Sequence, residues 1–509
     1  MKQTLRWLCI CLALCMLVGV LAACGAPATD KPDGGKDGET KDQTESKGVE
    51  TEGETKPVYL DSLPETLNFG GEEIRFLPVT NRHGMSVYVN VEDSTGDIVE
   101  DAIIERNAEL QERLGVVIEC LPPAGYLELT GRVANAVDSG SDDYDVVIGY
   151  CSADIGMAQQ GFLINMNNLN YVNFKAPYWG QEYMKAMTYK GTTFWATGDI
   201  NLTYTSFSYA FLVNSKRWKD LYPDENIYKI VNDREWTIET LTEFAEGATA
   251  ELDGNDKLDK EDRWGFAMQD GHYEMAMAMA CGIEYSQVDQ NGDVHITLES
   301  EETETIYEIL HELFFEAENA TLMMDLHEYD DGARKMFTED RLLFFNMTIV
   351  VLENSEVRNM KSDYMVIPMP MMDDAQDDYY NMLQDGVAIY AVPTTASAAK
   401  YDAIGATLEA MASMSVQQVL PVYYDNALKF KYSRDEESGK MIDLIHDTVR
   451  ADFAFVWGKN INEITWFMYH NMKKGSTSLA AAFASNRDAW TTSLEKLTEA
   501  LDEYADYGA

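Results

Sequence analysis

The acidic stretch ELDGNDKLDKED, residues 251–262, has the clearest spacing for chemistry in the chain. Oxygen-bearing side chains recur at alternating positions, as in the twelve-residue loops that surround calcium with oxygen ligands. In that register the ligands are Glu251, Asp253, Asn255, the carbonyl of Lys257, Asp259 and Asp262. Glu251 replaces the customary first aspartate, and Asp256 stands where glycine normally makes the turn. The stretch therefore predicts either a structural calcium site or a solvated acidic turn.

Cys24 is a second candidate site, because it closes an apolar N-terminal segment. Positive charges precede the run WLCICLALCMLVGVLA, which is typical of an export signal and too short to span a bilayer comfortably. The residues LAA and then Cys24 match the lipobox of bacterial lipoproteins, in which the cysteine thiol is acylated. This predicts a signal peptide at 1–23 and a lipid anchor at Cys24, on a membrane outside the cytoplasm. The alternative is an ordinary signal peptide in which Cys24 is incidental.

A third group of residues combines aromatic rings with short polar side chains. Such a mixture suits a sugar, because rings stack on its apolar faces while carboxylates and hydroxyls pair with its hydroxyl groups. The predicted ligand-binding residues are Tyr150, Ser152, Trp179, Trp195, Asp199, Tyr204, Asn346 and Thr348. For each aromatic residue the alternative role is core packing, and Trp195 fits that role most readily. For Asn346 and Thr348, which follow the LLFF run, the alternative role is helix capping. Asp199 is favoured because a carboxylate at a crossover between lobes is costly to bury without a partner.

The composition excludes several classes of function. The 509 residues carry a formal net charge of -48, which argues against nucleic acid as a partner because phosphate contacts need clustered Lys and Arg. Beyond Cys24 the cysteines are Cys120, Cys151 and Cys281, with no C-x-x-C pair, so neither a disulfide framework nor a zinc site is predicted. No G-x-S-x-G or H-E-x-x-H motif occurs. We therefore predict a protein that is not an enzyme and has no catalytic cofactor.

The pattern of apolar residues predicts the scaffold that positions these side chains. After a polar tether at 24–59, EEIRFLPV has the pattern of a strand, GDIVEDAIIERNAELQERLG that of an amphipathic helix and YDVVIGY that of a buried strand. This alternation predicts an α/β fold with a largely parallel sheet covered by helices. Tyr150 and Ser152 then lie at the carboxyl end of a strand, where open α/β sheets bind their ligands.

Several segments, taken in order, resemble the extracellular solute-binding lipoproteins of bacterial ABC importers, in the large two-lobed, carbohydrate-type class known as family 1. They include DDYDVVIGY, GFLINMNNL, APYWGQEYMKAMTYKGTTFWATGDI, FLVNSKRWKDL, WTIETLTEFA, MFTEDRLLFFNMT and VLPVYYDNALKFKYSRDEESGKMIDLI. Ser215 departs from the family pattern, in which a lysine is more usual. Some proteins of this class hold a structural calcium ion in the loop that corresponds to 251–262.

The resemblance implies a type II periplasmic-binding-protein clamshell, in which two α/β lobes are joined by hinge strands. Lobe 1 is expected at 60–203 plus 384–415, and lobe 2 at 204–383 plus 416–509. The implied function is capture of a mono- or oligosaccharide between the lobes by a monomer, and delivery of that solute to the permease subunits of an ABC transporter. The alternative is a surface sensor or polymer-binding lipoprotein with the same clamshell. A neighbouring kinase gene would favour sensing, whereas neighbouring permease genes would favour import.

Overall fold

The computed structural model describes residues 58–80, 89–91, 94, 96–252, 254–269, 271–317, 320–324, 326–425 and 436–508. The predicted signal peptide, Cys24 and all but the last two residues of the predicted tether lie outside these ranges. Within the ranges, each helix is too short or too polar to span a lipid bilayer.

Strands and helices alternate along most of the chain. The strands are β1 (Glu72–Pro78), β2 (Val116–Cys120), β3 (Val146–Tyr150), β4 (Tyr209–Asn214), β5 (Trp264–Gln269), β6 (Ser286–Val288), β7 (Val294–Ile296), β8 (Thr321–Met324), β9 (Leu342–Thr348), β10 (Tyr364–Ile367) and β11 (Ala388–Ala391). The helices are α1 (Ile98–Leu114), α2 (Leu129–Ser139), α3 (Cys151–Asp154), α4 (Gln181–Met187), α5 (Thr203–Ser206), α6 (Ser215–Leu221), α7 (Ile227–Asn232), α8 (Ile238–Ala248), α9 (His272–Ala280), α10 (Glu301–His311), α11 (Leu326–Thr338), α12 (Ser355–Asn359), α13 (Tyr401–Met414), α14 (Glu436–Asp447), α15 (Phe453–Val456), α16 (Phe467–Met472) and α17 (Ala480–Glu503). Because helices separate β1, β2 and β3, these strands can pair in parallel.

The first sheet has the strand order β11-β3-β1-β2. Strand β1 pairs in parallel with β2 and β3, while β11 pairs antiparallel with β3. Helix α1 begins at Asp97, whose carboxylate accepts the backbone N–H of Val99 at 2.8 Å, and ends at Gly115 in the left-handed conformation. The strands β3 and β11 are buried along almost their whole length, which explains their continuous apolar sequences.

The second sheet has the strand order β10-β4-β9-β5-β8 and is mixed. Strand β4 runs antiparallel to β10 and β9, whereas β5 runs parallel to β9 and β8. Its core is aromatic, because the rings of Phe211, Trp236 and Phe344 meet with centroids 5.3 to 6.2 Å apart. A separate two-stranded hairpin is formed by β6 and β7.

Two neighbouring segments carry the chain between the sheets. Crossing segment 1, residues 196–208, leads from the first sheet to β4, and crossing segment 2, residues 382–387, leads from the second sheet back to β11. A β-bridge between Ser208 and Leu383 joins the two segments, and Ala196 at the start of the first pairs with Tyr390 of β11. The two sheets are therefore linked by two adjacent segments, of which the first includes the short helix α5.

Helix α17 packs on α16, and the residues that follow it contact the loop beside β11. Near its start, Phe483 stacks on Phe467 of α16 with ring centroids 4.8 Å apart. Beyond its end, the carbonyls of Ala505 and Tyr507 accept hydrogen bonds of 2.9 and 2.8 Å from the side chain and backbone of Asn165. Asn165 lies in the loop that pairs with the end of β11, so the C-terminal residues rest against the first sheet.

Candidate functional site

A cavity of about 210 Å³ lies beside crossing segment 2, and its wall is formed by that segment, by loops and by the helices α3, α4, α9 and α15. Helix α3 contributes Ser152, helix α9 contributes Met275, and the stretch 455–466 contributes most of the opposite side. The wall combines aromatic rings, two carboxylates, one ammonium group and aliphatic side chains. This mixture is typical of pockets that orient a small organic ligand through a few polar contacts.

Asp385 of crossing segment 2 is the centre of hydrogen bonding in this wall. Its Oδ1 accepts the hydroxyl of Tyr150 at 3.0 Å, and its Oδ2 accepts the hydroxyl of Ser152 at 2.8 Å. The Nε2 of Gln384 donates to Oδ1 at 2.7 Å and also to the Tyr150 oxygen at 3.0 Å. The carboxylate is therefore held by neutral donors from two chain segments.

Gly386 explains how Tyr150 can approach crossing segment 2 so closely. A Cβ atom at Gly386 would lie 2.3 Å from the Tyr150 ring, a separation that real Cβ atoms do not show. The backbone fixes the same contact, because the N–H of Ser152 donates to the carbonyl of Asp385 at 2.9 Å. Asp385 therefore supplies the carboxylate that binds the Tyr150 hydroxyl, and Gly386, which has no side chain, leaves room for the Tyr150 ring.

Tyr150 remains a neutral phenol in this environment. Burial raises the pKa of Tyr150 far above its usual range, and the negative charge of Asp385 acts in the same direction. The hydroxyl hydrogen of Tyr150 is therefore retained for donation to Asp385.

Trp466 and Tyr126 form the partly exposed aromatic surface of the wall. The Trp466 ring is packed edge to face against His272 at 4.7 Å and against Tyr469 at 5.6 Å between centroids. A Cβ atom at Gly271 would lie only 3.4 Å from the same indole. These contacts fix the indole in place, which suits a stacking surface for a ligand ring.

Asp452 positions the part of the wall that α15 supplies. Its carboxylate accepts the backbone N–H of Phe455 at 3.0 Å, the Ser286 hydroxyl at 2.8 Å and the Tyr285 N–H at 2.8 Å. Burial raises the pKa of Asp452 to about 6, although these donors act in the opposite direction. This cap fixes Phe455 and Val456 in the cavity wall.

No protein-family model matches the sequence, and no curated protein matches it. Solved structures do match. The crystal structure of M. tuberculosis UspC has a TM-score of 0.54 and 13% identity, covering 83% of this chain and 100% of that chain. A cyclo/maltodextrin-binding protein complexed with maltotetraose has a TM-score of 0.53 and 14% identity, covering 85% and 97%. UgpB from Mycobacterium tuberculosis, in complex with glycerophosphocholine, has a TM-score of 0.50 and 14% identity, covering 85% and 99%.

The fold is the two-lobed clamshell of the periplasmic binding proteins. The prediction of this α/β fold is thereby confirmed, while the low identities carry no statement about the ligand. In the clamshell the first sheet belongs to one lobe and the second sheet to the other, and the cavity lies where residues of both lobes meet.

Two of the predicted ligand-binding residues lie at the cavity of the clamshell. Ser152 is part of the wall, and Tyr150 binds the wall residue Asp385. Both residues stand at the carboxyl end of β3, where the sequence placed them.

Trp179 and Trp195 lie in the core of the clamshell and not in the cavity wall. Both have 0% exposure. The indole N–H of Trp179 donates to the buried carboxylate of Glu409 at 3.1 Å, and that of Trp195 donates to the Ile155 carbonyl at 3.1 Å. For both residues the structure shows the core-packing alternative, because each buried N–H finds its partner inside the protein.

Asp199 and Tyr204 of crossing segment 1 meet at His446 instead of at the cavity. The Nε2 of His446 donates to Asp199 at 2.9 Å, and the Tyr204 ring lies edge to face with the imidazole at 5.5 Å between centroids. Burial disfavours the charged imidazole, but its hydrogen bonds to Asp199 and Asp447 raise the pKa of His446 to about 10. The partner that a buried Asp199 requires is therefore a protonated histidine from α14.

Asn346 and Thr348 lie in β9, opposite Phe211 and Tyr209 of β4. Both are buried, and neither is part of the cavity wall. The Thr348 side chain does not cap the short turn that follows it. The two residues that follow the apolar run LLFF thus continue strand β9 inside the second sheet.

Of the residues that line the cavity, sequence reasoning named only Ser152, and it missed Asp385, Trp466 and Tyr126 among others. A usable signal existed for Asp385, because an acidic residue and a glycine stand one residue before the buried strand AIYA. Strand β11 runs antiparallel to β3, so its start lies beside the end of β3. Trp466 had no such signal, since it follows a turn with left-handed residues at Asn462 and Glu463.

In the acidic loop, side-chain oxygens accept hydrogen bonds from the backbone of the loop. Asp262 accepts the N–H groups of Leu252 at 2.7 Å and of Asp259 at 2.9 Å, and Asn255 accepts that of Lys257 at 2.7 Å. Within the described ranges, no three acidic, histidine or cysteine side chains are grouped to hold a metal ion, and the predicted ligand Asp253 lies outside them. Calcium binding by Glu251, Asn255, the Lys257 carbonyl, Asp259 and Asp262 stays a prediction.

Proposed function

We propose that this protein is the substrate-binding component of an ABC transporter and that it binds a mono- or oligosaccharide in the cavity between its lobes. Binding closes the lobes around the solute, and the closed form delivers the solute to a membrane permease. No chemistry on the solute is required, so the protein acts as a receptor and not as an enzyme.

The observation that carries this proposal is the composition of the cavity wall. Trp466 and Tyr126 offer aromatic surface, while Asp385 and Ser152 offer polar oxygens, with the Asp385 carboxylate fixed by the Tyr150 hydroxyl. Sugars present apolar faces and hydroxyl edges, which these two kinds of surface match. A binding protein of the same fold has been solved in complex with maltotetraose, which is a solute of this class.

We further propose that Cys24 is acylated and anchors the clamshell to the outer face of a cell membrane. The support is the lipobox sequence, followed by the polar composition of the predicted tether at 24–59. Incorporation of labelled palmitate into the wild type, and its loss in Cys24→Ala, is the matching test.

A thermal-shift panel of neutral mono- and oligosaccharides tests solute binding. A sugar that binds the folded state is expected to stabilise it by about 2.7 kcal/mol at one hundred times its dissociation constant. Peptides and polyamines serve as the contrasting panel. Stabilisation by those compounds, with none by sugars, would show that the carbohydrate proposal is wrong.

Trp466→Ala tests whether the bound sugar occupies this cavity. Loss of the indole surface is expected to weaken sugar binding about tenfold, or ~1.4 kcal/mol. Phe315→Ala is the matched control, because Phe315 is an exposed aromatic residue outside the cavity wall. Equal affinities of the two variants would place the sugar elsewhere.

A further inference from the structure

The side chains that bind Asp385 donate all of their polar hydrogens to acceptors within the protein. Tyr150 and Ser152 each have one hydroxyl hydrogen, and each donates it to the Asp385 carboxylate. The amide of Gln384 donates to Asp385 and to the Tyr150 oxygen. Its Oε1 accepts the backbone N–H of Gly386 at 2.8 Å, which fixes the orientation of the amide.

The polar side chains at this part of the cavity therefore present lone pairs only. The wall residues Ser152 and Asp385 can accept further hydrogen bonds, but neither they nor the Tyr150 hydroxyl has a hydrogen left to donate. We propose that the Asp385 cluster, defined as Asp385 with Tyr150, Ser152 and Gln384, selects solutes that present hydrogen-bond donors to it. Neutral hydroxyls and protonated amines fit, whereas a carboxylate or phosphate group is rejected.

This inference rests on the proposed function and names the charge class of its solute. An anionic group beside Asp385 would meet acceptors without donors and a negative charge, and both are unfavourable for it. The ammonium group of the wall, Lys459, is exposed, and its charge acts on the buried carboxylate of Asp154. The second wall carboxylate, Glu463, adds negative charge to the same cavity.

Pairs of sugars that differ only in charge test the selection. Affinities for glucose and glucuronate, for galactose and galacturonate, and for glucosamine are measured by calorimetry. The wild type is expected to bind a neutral sugar or glucosamine at least about tenfold more tightly than the matching uronate. Asp385→Asn gives the cluster an amide donor, and we expect it to reduce this preference to less than about threefold.

Two further variants separate selection against anionic solutes from a nonspecific loss of binding. Ser152→Ala removes one acceptor without changing the charge, so it is expected to weaken binding while the preference for neutral sugars remains. Asp488→Asn removes one negative charge from the exposed surface of α17 and is expected to change neither value. The melting temperature of each variant verifies that it is folded.

The outcomes distinguish this inference from the proposed function. If the wild type binds uronates as tightly as neutral sugars, or if Asp385→Asn leaves the preference unchanged, selection by the Asp385 cluster is refuted while sugar binding stands. If the wild type binds none of these sugars and no oligosaccharide of the panel, the proposed function fails and the inference fails with it.

Discussion

Two aspartates on the paired crossing segments have opposite surroundings. Asp385 of crossing segment 2 lines the cavity and accepts hydrogen bonds from two neutral hydroxyls. Asp199 of crossing segment 1 is buried and accepts a hydrogen bond from the protonated His446 of α14. The first carboxylate has no cationic partner at hydrogen-bond distance among the described residues, whereas the second is paired with a cation of the protein itself.

The difference shows how the hydrogen-bond partners of a carboxylate decide its role. Asp199 and His446 join a crossing segment to the second lobe, so the pair stabilises the folded arrangement of the chain. Asp385 is satisfied by hydroxyl groups that retain acceptor capacity, so its surroundings remain available to a ligand. Adjacent segments can thus carry one carboxylate in an ion pair of the protein and one carboxylate that lines the cavity.

Substitution of the two aspartates by asparagine is expected to give the largest contrast. Asp199→Asn leaves a partly buried cation without its closest carboxylate, which should lower the free energy of unfolding by about 2 kcal/mol. This figure is below that of a fully buried pair, because the His446 side chain keeps 19% of its exposure. Asp385→Asn should lower the free energy of unfolding by less than about 1 kcal/mol, since its partners are neutral hydroxyls.

Urea unfolding of both variants near pH 6 measures this contrast. Asp488→Asn controls for the loss of one negative charge, because Asp488 lies on the exposed surface of α17. A larger destabilisation by Asp385→Asn than by Asp199→Asn would reverse the roles that we assign to the two residues.

The pH dependence of unfolding is expected to sharpen the contrast by a smaller amount. The folded pKa of His446 is raised to about 10, above the ordinary value of 6.5 in an unfolded chain. Its stabilising effect is therefore complete below pH 6.5 and is lost as the pH rises through 10. The difference in unfolding free energy between the wild type and Asp199→Asn should shrink as the pH rises over this window.

The control for this pH series is Asp385→Asn, which lacks contact with His446. Its difference from the wild type should be nearly constant over the same window. Nearby Tyr204 and Tyr424 do not interfere, because burial raises the pKa of both hydroxyls well above pH 10. A difference for Asp199→Asn that grows with pH would contradict a protonated His446.

The fold could be predicted because its signals are local in the sequence. The segment GDIVEDAIIERNAELQERLG has a helical apolar period and forms α1, and YDVVIGY has a buried-strand pattern and ends in β3. Parallel pairing of β1 with β3 then follows from the intervening helices. These features depend on neighbouring residues and on the general rules of α/β sheets.

The candidate site could be predicted only in part, because its contacts are distant in the sequence. The rule for strand ends placed Tyr150 and Ser152 correctly beside β3, but their partner Asp385 lies 235 residues beyond Tyr150. The same rule gave no means to separate Trp195, which is buried, from Trp466, which lines the cavity. Only tertiary packing decides which of two tryptophans is covered.

The acidic loop at 251–262 adds a third kind of carboxylate, one that accepts backbone N–H groups. Asp262 is fully buried, and its carboxylate closes the loop through the N–H groups of Leu252 and Asp259. The Asp259 carboxylate instead accepts the N–H of the exposed residue Glu261. The two residues should therefore respond differently to substitution.

The smallest effect is expected from calcium at this loop. Calcium added to chelator-treated protein should raise the melting temperature slightly, and Asp259→Ala should abolish that rise without altering the metal-free melting temperature. Asp262→Ala should lower the melting temperature with and without calcium, because it leaves two backbone N–H groups of the loop without their acceptor. A wild type indifferent to calcium would mean that the loop is closed by its own hydrogen bonds alone, as a carboxylate fully engaged by backbone donors requires no cation.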